Sequence, residues 1–495
     1  YRKIHKIFLL VTLNIIVKGL IIGNTIGLIL IYFQYQFEII ELDSNNYFVD
    51  TFRLSEKNSI GIYSSNDIFW PLIYLAADLT VKEIYIFHSN TKKEHVEEYK
   101  SKYNIDFIYS EEVFDKTLLK KIKNMVFDKL DFSKKMSRSD ILFTSGTTGM
   151  PKGVRLLENS FLHVANLLKR KLDQSSFDTE LLSMPFGHSF GLVRLRCVLL
   201  AGSSCVITNG LRDFPAIYKL SESKTITGLS FVPAALEIVK GLLRKKAKNF
   251  GQNIRYIELG SSFLSEETNE WLAENFPNTN VIHHYGMTEA SRAFLRPRGK
   301  NDVKDLPSNW IGQVLEGCEY KLRPTDDYAN KQEIKGELLL RGKNLFSGYL
   351  DDEAFDQSLD WLPTKDVCTE RDGNLFLIGR TDNQYNIGGE KIQAEDIENR
   401  ISHIDGVKDA VAFQISDKIL GNKLGCIIQL QKNCNSHQYL NNQLNQSLND
   451  LQGFLRPRYF VTYEDLVKTA NGKKIREEDT LNKYLSEEYV SELTN

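Results

Sequence analysis

The feature that most constrains the fold is a regular alternation of short β-rich runs and amphipathic stretches, which begins near residue 58. The first predicted elements are a strand at Ser59–Tyr63, a helix at Trp70–Ala77 and a strand at Glu83–Phe87. Further strands are predicted at Ile105–Tyr109, Asp140–Thr144, Ser204–Thr208, Ile226–Phe231, Ile254–Leu259 and Asn280–His284, with a helix at Phe161–Leu172. Strands that alternate with helices build a mostly parallel sheet covered on both faces. The expected fold class is therefore α/β.

A change of pattern near residues 373–389 divides the chain. Its 495 residues exceed the size of one compact core, so two or more domains are expected. Asp372-Gly373-Asn374 predicts a turn into a short strand, and the chain after Asp382 is typical of a smaller α+β unit. We therefore predict a large N-terminal domain over residues 41–381 and a small C-terminal domain over residues 382–495.

Charge and cysteine content exclude several classes of protein. The formal net charge is −2, whereas nucleic-acid binders carry a clear basic excess, so no nucleic-acid partner is expected. The six cysteines are scattered and form no C-x-x-C pair, which argues against a zinc ribbon, a redox motif or a disulfide framework. This cysteine usage fits a reducing compartment, and we expect a cytoplasmic protein.

The N-terminal segment, residues 1–40, departs from this pattern. Residues 7–37 are strongly apolar and long enough to cross a bilayer. However, Lys18 lies near the middle of the run, and a charge at that depth is costly. Membrane association is therefore the less favoured hypothesis. The favoured one is that these residues form a buried helix or strand of the large domain.

The strongest local signal is a glycine- and hydroxyl-rich run directly after the predicted strand Asp140–Thr144. It reads Thr144, Ser145, Gly146, Thr147, Thr148, Gly149, Met150, Pro151, Lys152 and Gly153. Glycines permit close backbone approach, while hydroxyls and the lysine offer donors to phosphate oxygens. The run is not a P-loop, because proline precedes the lysine and glycine follows it. It predicts a phosphate-binding loop of another kind.

Further motifs follow in a fixed order along the chain. They are Tyr285-Gly-Met-Thr-Glu289, Gly336-Glu-Leu338, Thr364-Lys-Asp366, Gly379-Arg-Thr-Asp382 and Lys468-Thr-Ala-Asn-Gly-Lys473. Together with the loop, they resemble the signature motifs of the adenylate-forming superfamily, which includes acyl- and aryl-CoA synthetases, peptide-synthetase adenylation domains and firefly luciferase. The resemblance implies activation of a carboxylic acid by ATP and transfer to a thiol. It also implies a mobile C-terminal lid with its hinge at Asp382.

The resemblance implies the following nucleotide contacts. The run from Thr144 to Lys152 clamps the β- and γ-phosphates of ATP, Thr288 contacts the α-phosphate, and Glu289 is the Mg²⁺ ligand. Tyr285 stacks on adenine beside Gly286, and the turn Gly260-Ser261-Ser262 lines the adenine pocket. Asp366 holds the ribose hydroxyls, with Arg380 nearby. Lys365 stands where the superfamily favours glycine, which puts the local turn in question.

For the reacting groups, the resemblance implies that Lys473 is the catalytic lysine, with the adjacent Lys474 as the alternative. His188 borders the acid pocket. Gly388 and Gly389 approach the pantetheine arm of the acceptor, which is either coenzyme A or the phosphopantetheine of an acyl-carrier protein.

The predicted acid substrate is a small carboxylic acid without a free α-amino group. Members of the superfamily that activate amino acids typically place an aspartate in the stretch that here spans Leu181–Leu195, which contains no acidic residue. Burying an ammonium group without a carboxylate is costly. An apolar wall could be offered by Phe186, Phe190, Leu229 and Phe231; alternatively, these side chains are core. A non-catalytic nucleotide-binding relative is the other functional class, and retention of Lys152, Glu289, Asp366 and Lys473 argues against it.

Overall fold

The computed structural model describes most of the 495-residue chain. The described residues are 28–33, 36–41, 57–66, 69–110, 138–144, 151–212, 214–223, 225–262, 264–302, 306–307, 309–324, 334–352, 355–381, 383–388, 390–417, 420–431, 437–451, 453–464, 466, 474–476, 481, 484 and 488–489. Each helix and strand predicted above is present, with ends that shift by at most three residues.

The apolar run near the N terminus ends in two strands. β1 (Leu28–Phe33) and β2 (Gln36–Glu41) pair antiparallel. In addition, Ile29 of β1 lies opposite Cys205 of a later strand, in parallel register. This part of the run therefore belongs to a sheet of the α/β fold. Residues 7–27 lie outside the described residues, and none of the helices in the described part is long and apolar enough to span a membrane.

The first sheet carries the glycine-rich run at one of its hairpins. Its elements are β3 (Ser59–Tyr63), α1 (Phe69–Thr80), β4 (Glu83–Phe87), α2 (Lys93–Lys102), β5 (Phe107–Ser110), β6 (Ser139–Thr144) and β7 (Lys152–Leu157). The strand order is β5-β3-β4-β6-β7, and β7 alone among these strands runs antiparallel to its neighbour. Because β6 ends at Thr144 and β7 begins at Lys152, the predicted phosphate loop is the segment that connects these two strands.

The second sheet gathers the other motifs at its edge. Its elements and the helix that leads into it are α3 (Glu158–Lys171), β8 (Thr179–Leu182), α4 (Ser189–Ala201), β9 (Ser204–Ile207), α5 (Phe214–Glu222), β10 (Gly228–Phe231), α6 (Pro233–Leu243), α7 (Ala247–Gly251), β11 (Tyr256–Gly260), α8 (Glu266–Asn275), β12 (Asn280–Tyr285), β13 (Phe294–Arg298) and β14 (Gln313–Val314). In the described part, the order is β14-β13-β12-β11-β10-β8-β9-β1-β2. Because β8 to β12 are parallel, their carboxyl ends meet at one edge, where ligands bind in such sheets.

The remaining described residues include smaller sheets. An antiparallel sheet contains β15 (Cys318–Pro324), β16 (Ile334–Gly342), β17 (Leu362–Arg371) and β18 (Asn374–Arg380). The C-terminal region, residues 383–489, contains β19 (Gln384–Ile387), β20 (Glu390–Gln393), α9 (Ala394–Ser402), β21 (Val407–Asp417), β22 (Gly421–Leu430), α10 (His437–Ser447), β23 (Arg458–Thr462) and β24 (Glu488–Tyr489). Asp372 and Gly373 form the predicted turn, both with positive φ. Asp382 lies outside the described residues, so the domain boundary stays a prediction.

Helix α4 lies in the main core between the two large sheets. Nearly all of its residues are buried, and its apolar side chains share one core with residues of both sheets, such as Ile62 of β3 and Ile207 of β9. A helix that is apolar all round is typical of such a central position. Its two arginines point to different sheets: Arg194 binds Glu180 of β8 at 2.5 Å, and Arg196 binds Asp140 of β6 at 2.9 Å.

Candidate active site

A cavity of about 390 Å³ lies at the edge of the second sheet where the motifs meet. Its walls come from the turn after β11, the end of β12, the hairpin of β17 and β18, and the strands of the C-terminal region. Ser261, Tyr285, Asp366 and Arg380 all line it. The structure thus brings residues of these distant motifs to one cavity.

Asp366 is held by two side chains at one end of the cavity. It accepts hydrogen bonds from Tyr285 Oη and from Arg380 Nη1, each at 2.5 Å, and is only 8% exposed. Burial, with Asp366 beside it, raises the pKa of Tyr285 well above its usual value, so the phenol remains a donor. This arrangement presents a fixed carboxylate and an aromatic ring to the cavity.

The turn before Asp366 explains why glycine is favoured there. Lys365 has a φ of 63°, in the left-handed region that costs a non-glycine residue about 1–2 kcal/mol. Its backbone N–H donates to Glu337 Oε1 at 3.1 Å, and its carbonyl accepts from Thr381 N at 2.8 Å. The turn in question is therefore formed despite the lysine.

The turn Gly260-Ser261-Ser262 closes the cavity on its other side. A Cβ at residue 260 would lie 2.0 Å from the His284 ring, so only glycine fits. Ser261 has a φ of 80°, and its carbonyl oxygen accepts a hydrogen bond from Asn386 Nδ2 of β19. The C-terminal region thus contacts the turn that was predicted to line the adenine pocket.

Glu289 has one occupied and one open carboxylate oxygen. It lies in a short 3₁₀ turn, Thr288–Ala290, and is 6% exposed. Its Oε1 accepts from Tyr349 Oη at 2.9 Å, while the buried Oε2 has no hydrogen-bond partner among the described residues. A buried carboxylate oxygen without a donor fits a cation, which supports the predicted metal ligand.

The phosphate loop is described only at its ends. Thr144 and Lys152 lie opposite each other across the β6–β7 hairpin, and the Lys152 Nζ lies 5.1 Å from the centroid of the Tyr349 ring. The predicted phosphate contacts Ser145, Gly146, Thr147, Thr148 and Gly149 lie outside the described residues. Their roles stay predictions.

His188 packs against a second histidine, His88, that the sequence did not single out. The rings of His188 and His88 lie 4.5 Å apart, at the N terminus of α4 and after β4 respectively. Burial lowers the pKa of both to about 4, and in His88 the neighbouring His188 adds to this effect while Glu390 opposes it. Both rings are therefore neutral at pH 7. The only sequence signal for His88 was its place at the carboxyl end of a parallel strand.

A buried charge cluster, Glu180, Arg194, Glu258, His284 and Arg292, lies beneath the cavity and was missed from sequence. Glu258 lies 3.0 Å from Arg292 Nε, 3.1 Å from Arg194 Nη1 and 2.7 Å from His284 Nδ1. Burial alone would raise the pKa of Glu258, but Arg292, His284 and Arg194 hold it well below its usual range. Burial and Arg292 lower the pKa of His284 to about 4 against the opposing effect of Glu258. The one sequence signal for this cluster was Glu258, an acidic residue within the apolar predicted strand Ile254–Leu259.

Of the two candidate catalytic lysines, Lys474 binds other residues of the C-terminal region. Lys474 Nζ lies 2.7 Å from Asp409 Oδ1 and 3.3 Å from Glu398 Oε2, and it donates to the Ala410 carbonyl at 2.6 Å. Gly388 has a φ of 60°. Asp382, Gly389 and Lys473 lie outside the described residues.

Of the four apolar side chains considered for the acid pocket, Phe186, Leu229 and Phe231 belong to the hydrophobic cores. Phe190 is also buried, with its ring edge-on to His284 at 4.7 Å. The alternative that these side chains belong to the core therefore holds for Phe186, Leu229 and Phe231.

The chain is similar to a known family of enzymes and to several known proteins. A family model described as AMP-binding enzyme matches residues 72–350, more than half of the chain. An acyl-CoA synthetase from Alternaria alternata is 28% identical over 366 residues, which cover 68% of this chain and 63% of that protein. A D-alanine–D-alanyl carrier protein ligase from Staphylococcus aureus is 24% identical over 346 residues, covering 67% and 68%. The chain thus spans less than two thirds of the length of the Alternaria relative.

Among solved structures, a double mutant of o-succinylbenzoate CoA synthetase from Bacillus subtilis matches with a TM-score of 0.72. The identity is 20%, over 94% of this chain and 96% of that one. Other structures of the same enzyme contain AMP, or ATP and a magnesium ion. The likeness confirms the α/β fold with mostly parallel sheets, and the family match confirms the resemblance found in the motifs. The chain belongs to the family of AMP-binding enzymes, within the adenylate-forming superfamily.

Proposed function

We propose that this chain is an ATP-dependent acid–thiol ligase. It converts a carboxylic acid to its acyl-AMP with release of pyrophosphate and then transfers the acyl group to a thiol. The observation that carries the proposal is the cavity itself, which has a fixed carboxylate, Asp366, at one wall and is lined by Tyr285, Gly286 and Met287 of the YGMTE motif. The open oxygen of Glu289 lies two positions after Met287 in the same motif. The family match and the named relatives support it.

Each wall of the cavity has a part in nucleotide binding. Asp366 accepts hydrogen bonds from the ribose hydroxyls, since an ionised carboxylate can accept several at once. Tyr285 and the turn at Ser261 enclose the adenine. Lys152 and the loop hold the β- and γ-phosphates, and Thr288 contacts the α-phosphate. Arg380 keeps Asp366 in place through its 2.5 Å ion pair.

Glu289 is the protein ligand of a Mg²⁺ ion in this proposal. No cluster of three or more histidine, cysteine or acidic side chains in the described part of the chain suits a metal ion. One carboxylate is enough, because Mg²⁺ in nucleotide sites takes its other ligands from phosphates and water. When bound, the ion neutralises phosphate charge.

The two steps place different demands on the chain. In the first step, an oxygen of the acid attacks the α-phosphorus and pyrophosphate leaves, while Lys473 stabilises the charge on both reacting groups. In the second step, the thiol releases its proton to water, its sulfur bonds to the acyl carbon, and the bond between that carbon and the phosphate oxygen breaks, so AMP leaves. The contact of Asn386 with Ser261 brings strand β19 to the cavity. Gly388 follows that strand, and its proposed role is to approach the pantetheine arm of the thiol in the second step.

Coenzyme A is the proposed acceptor, and the acid is one without an α-amino group. A carrier-protein phosphopantetheine is the second candidate, which the similarity to the Staphylococcus aureus ligase favours. The free cysteines of the described part are all buried, and their reduced state fits the cytoplasm as the site of action.

ATP–pyrophosphate exchange with a panel of fatty, aryl and amino acids tests the first step. Thioester formation with coenzyme A or with a carrier protein then tests the second. Exchange with an apolar or aryl acid, and none with amino acids, is expected. Exchange with amino acids alone would overturn the substrate class, and no exchange with any acid would favour a non-catalytic relative.

Paired lysine variants test the catalytic assignment. Lys473→Ala should lower exchange by about a hundredfold or more, a typical loss for a group that stabilises transition-state charge. Thioester formation from preformed acyl-AMP should stay within about threefold, because that step does not involve ATP. Lys474→Ala is the matched control: it removes the contacts with Asp409 and Glu398, so any loss should affect both steps alike. The reverse pattern would transfer the role to Lys474.

A further inference from the structure

The segment 346–350 joins the phosphate loop to Glu289. On one side, Leu350 N donates to the Gly153 carbonyl at 2.9 Å and Arg155 N donates to the Gly348 carbonyl at 3.0 Å. On the other side, Phe346 N donates to the backbone carbonyl of Glu289 at 2.8 Å. A single short segment therefore sets the separation between the exit of the loop and the metal-binding carboxylate.

Tyr349 belongs to this segment and contacts both Glu289 and Lys152. Its hydroxyl donates to Glu289 Oε1 at 2.9 Å, and its ring lies under Lys152 Nζ at 5.1 Å. The ring itself is fixed edge-on against Phe346, with centroids 5.0 Å apart. Tyr349 thus uses its polar tip for one group and its aromatic face for the other.

The hydroxyl also determines which oxygen of Glu289 remains open. Because Oε1 is occupied by a donor, the carboxylate cannot rotate without losing that bond, and Oε2 stays buried without a donor. Outer hydrogen bonds of this kind orient metal ligands, and their loss typically weakens metal affinity about 10–100-fold. Loss of a ring–ammonium contact is a smaller and separate effect.

We propose that Tyr349 is a positioning residue that orients Glu289 for the cation through its hydroxyl and holds Lys152 near the phosphates through its ring. The inference rests on the proposed function, since it requires a nucleotide and a cation in this cavity. It assigns separate effects to the two parts of one side chain, and variants can separate them.

Binding of Mn²⁺ to the full chain, in the presence of a non-hydrolysable ATP analogue with a methylene between the α- and β-phosphorus, tests this directly. The free ion is measured by electron paramagnetic resonance, so no turnover is needed. Tyr349→Phe keeps the ring and should weaken Mn²⁺ binding about tenfold, with metal-free analogue affinity changed less than about twofold. Tyr349→Leu removes both contacts and should weaken metal-free analogue binding as well.

Tyr320→Phe is the matched control, because Tyr320 Oη contacts Glu370 at 3.4 Å, in a separate tyrosine–carboxylate pair. It should leave both affinities unchanged. Thermal melting verifies that Tyr349→Phe, which lacks only one oxygen atom, remains folded. Wild-type Mn²⁺ affinity in Tyr349→Phe would overturn the positioning role alone. A wild-type chain that binds neither analogue nor Mn²⁺ would overturn the proposed function with it.

Discussion

Two charged regions of the same sheet edge differ in how completely their carboxylates are paired. Glu258, in the cluster beneath the cavity, is fully buried and has Arg194, Arg292 and His284 around it. Glu289 is also buried, but its Oε2 has no donor among the described residues. A saturated carboxylate holds the scaffold together, whereas an open one is ready for a ligand.

Substitution of the saturated carboxylate should have the largest effect. Glu258→Gln leaves the Arg292 guanidinium without its anion in the interior, and breaking a buried ion pair in this way costs about 3–5 kcal/mol of unfolding free energy. Denaturant unfolding at pH 7 measures this loss. A loss below about 1 kcal/mol would mean that the two regions do not differ as described.

Substitution of the open carboxylate should affect activity while sparing stability. Glu289→Gln keeps an acceptor for Tyr349 but removes the cation ligand, so pyrophosphate exchange should fall about a hundredfold, or about 2.7 kcal/mol. The unfolding free energy without ligand should change by less than about 1 kcal/mol, because Oε2 has no donor to lose. Destabilisation equal to that of Glu258→Gln would contradict the assignment of Glu289 as a ligand.

The histidine pair predicts a pH dependence of stability. The pKa of His188 and of His88 in the folded chain is about 4, below the ordinary 6.5, so the unfolded state binds more protons in between. Their contribution to stability is therefore present above pH 6.5 and is lost as the pH falls towards 4. The unfolding free energy of His188→Gln should vary less with pH over this window than that of the wild-type chain. Denaturant titrations of both proteins at several pH values measure this difference. An unchanged slope would indicate that His188 is not buried in its neutral form.

The turn beside Asp366 should give the smallest effect. Lys365→Gly relieves the left-handed conformation, so the unfolding free energy should rise by no more than about 1 kcal/mol, since glycine also gains freedom in the unfolded chain. The affinity for ATP should stay the same because the backbone contacts with Glu337 and Thr381 remain. A marked change in ATP affinity would show that the lysine side chain itself contributes to the site.

Prediction from sequence worked best where the signal was local. The strands were found because apolar runs of the right length recur between helical patterns, and several motif residues could be named because they sit at strand ends. The wall proposed from Phe186, Leu229 and Phe231 turned out to be core, since an aromatic side chain in a strand or a turn carries no mark of which side it faces. The sequence favoured Lys473 and left the adjacent Lys474 as the alternative, and in the structure Lys474 forms ion pairs with Asp409 and Glu398.

The amino-acid sequence alone specified the α/β alternation and the family, and it singled out Glu289 and Asp366 as candidates, because these depend on periodicity and on motifs within a few neighbouring positions. Only the tertiary structure decided which carboxylates are paired. Tyr349 reaches Glu289 across 60 positions, and Arg194 reaches Glu258 across 64. Such partners are chosen by the path of the backbone and by the need of each buried charge for a donor, and neither is encoded in local spacing.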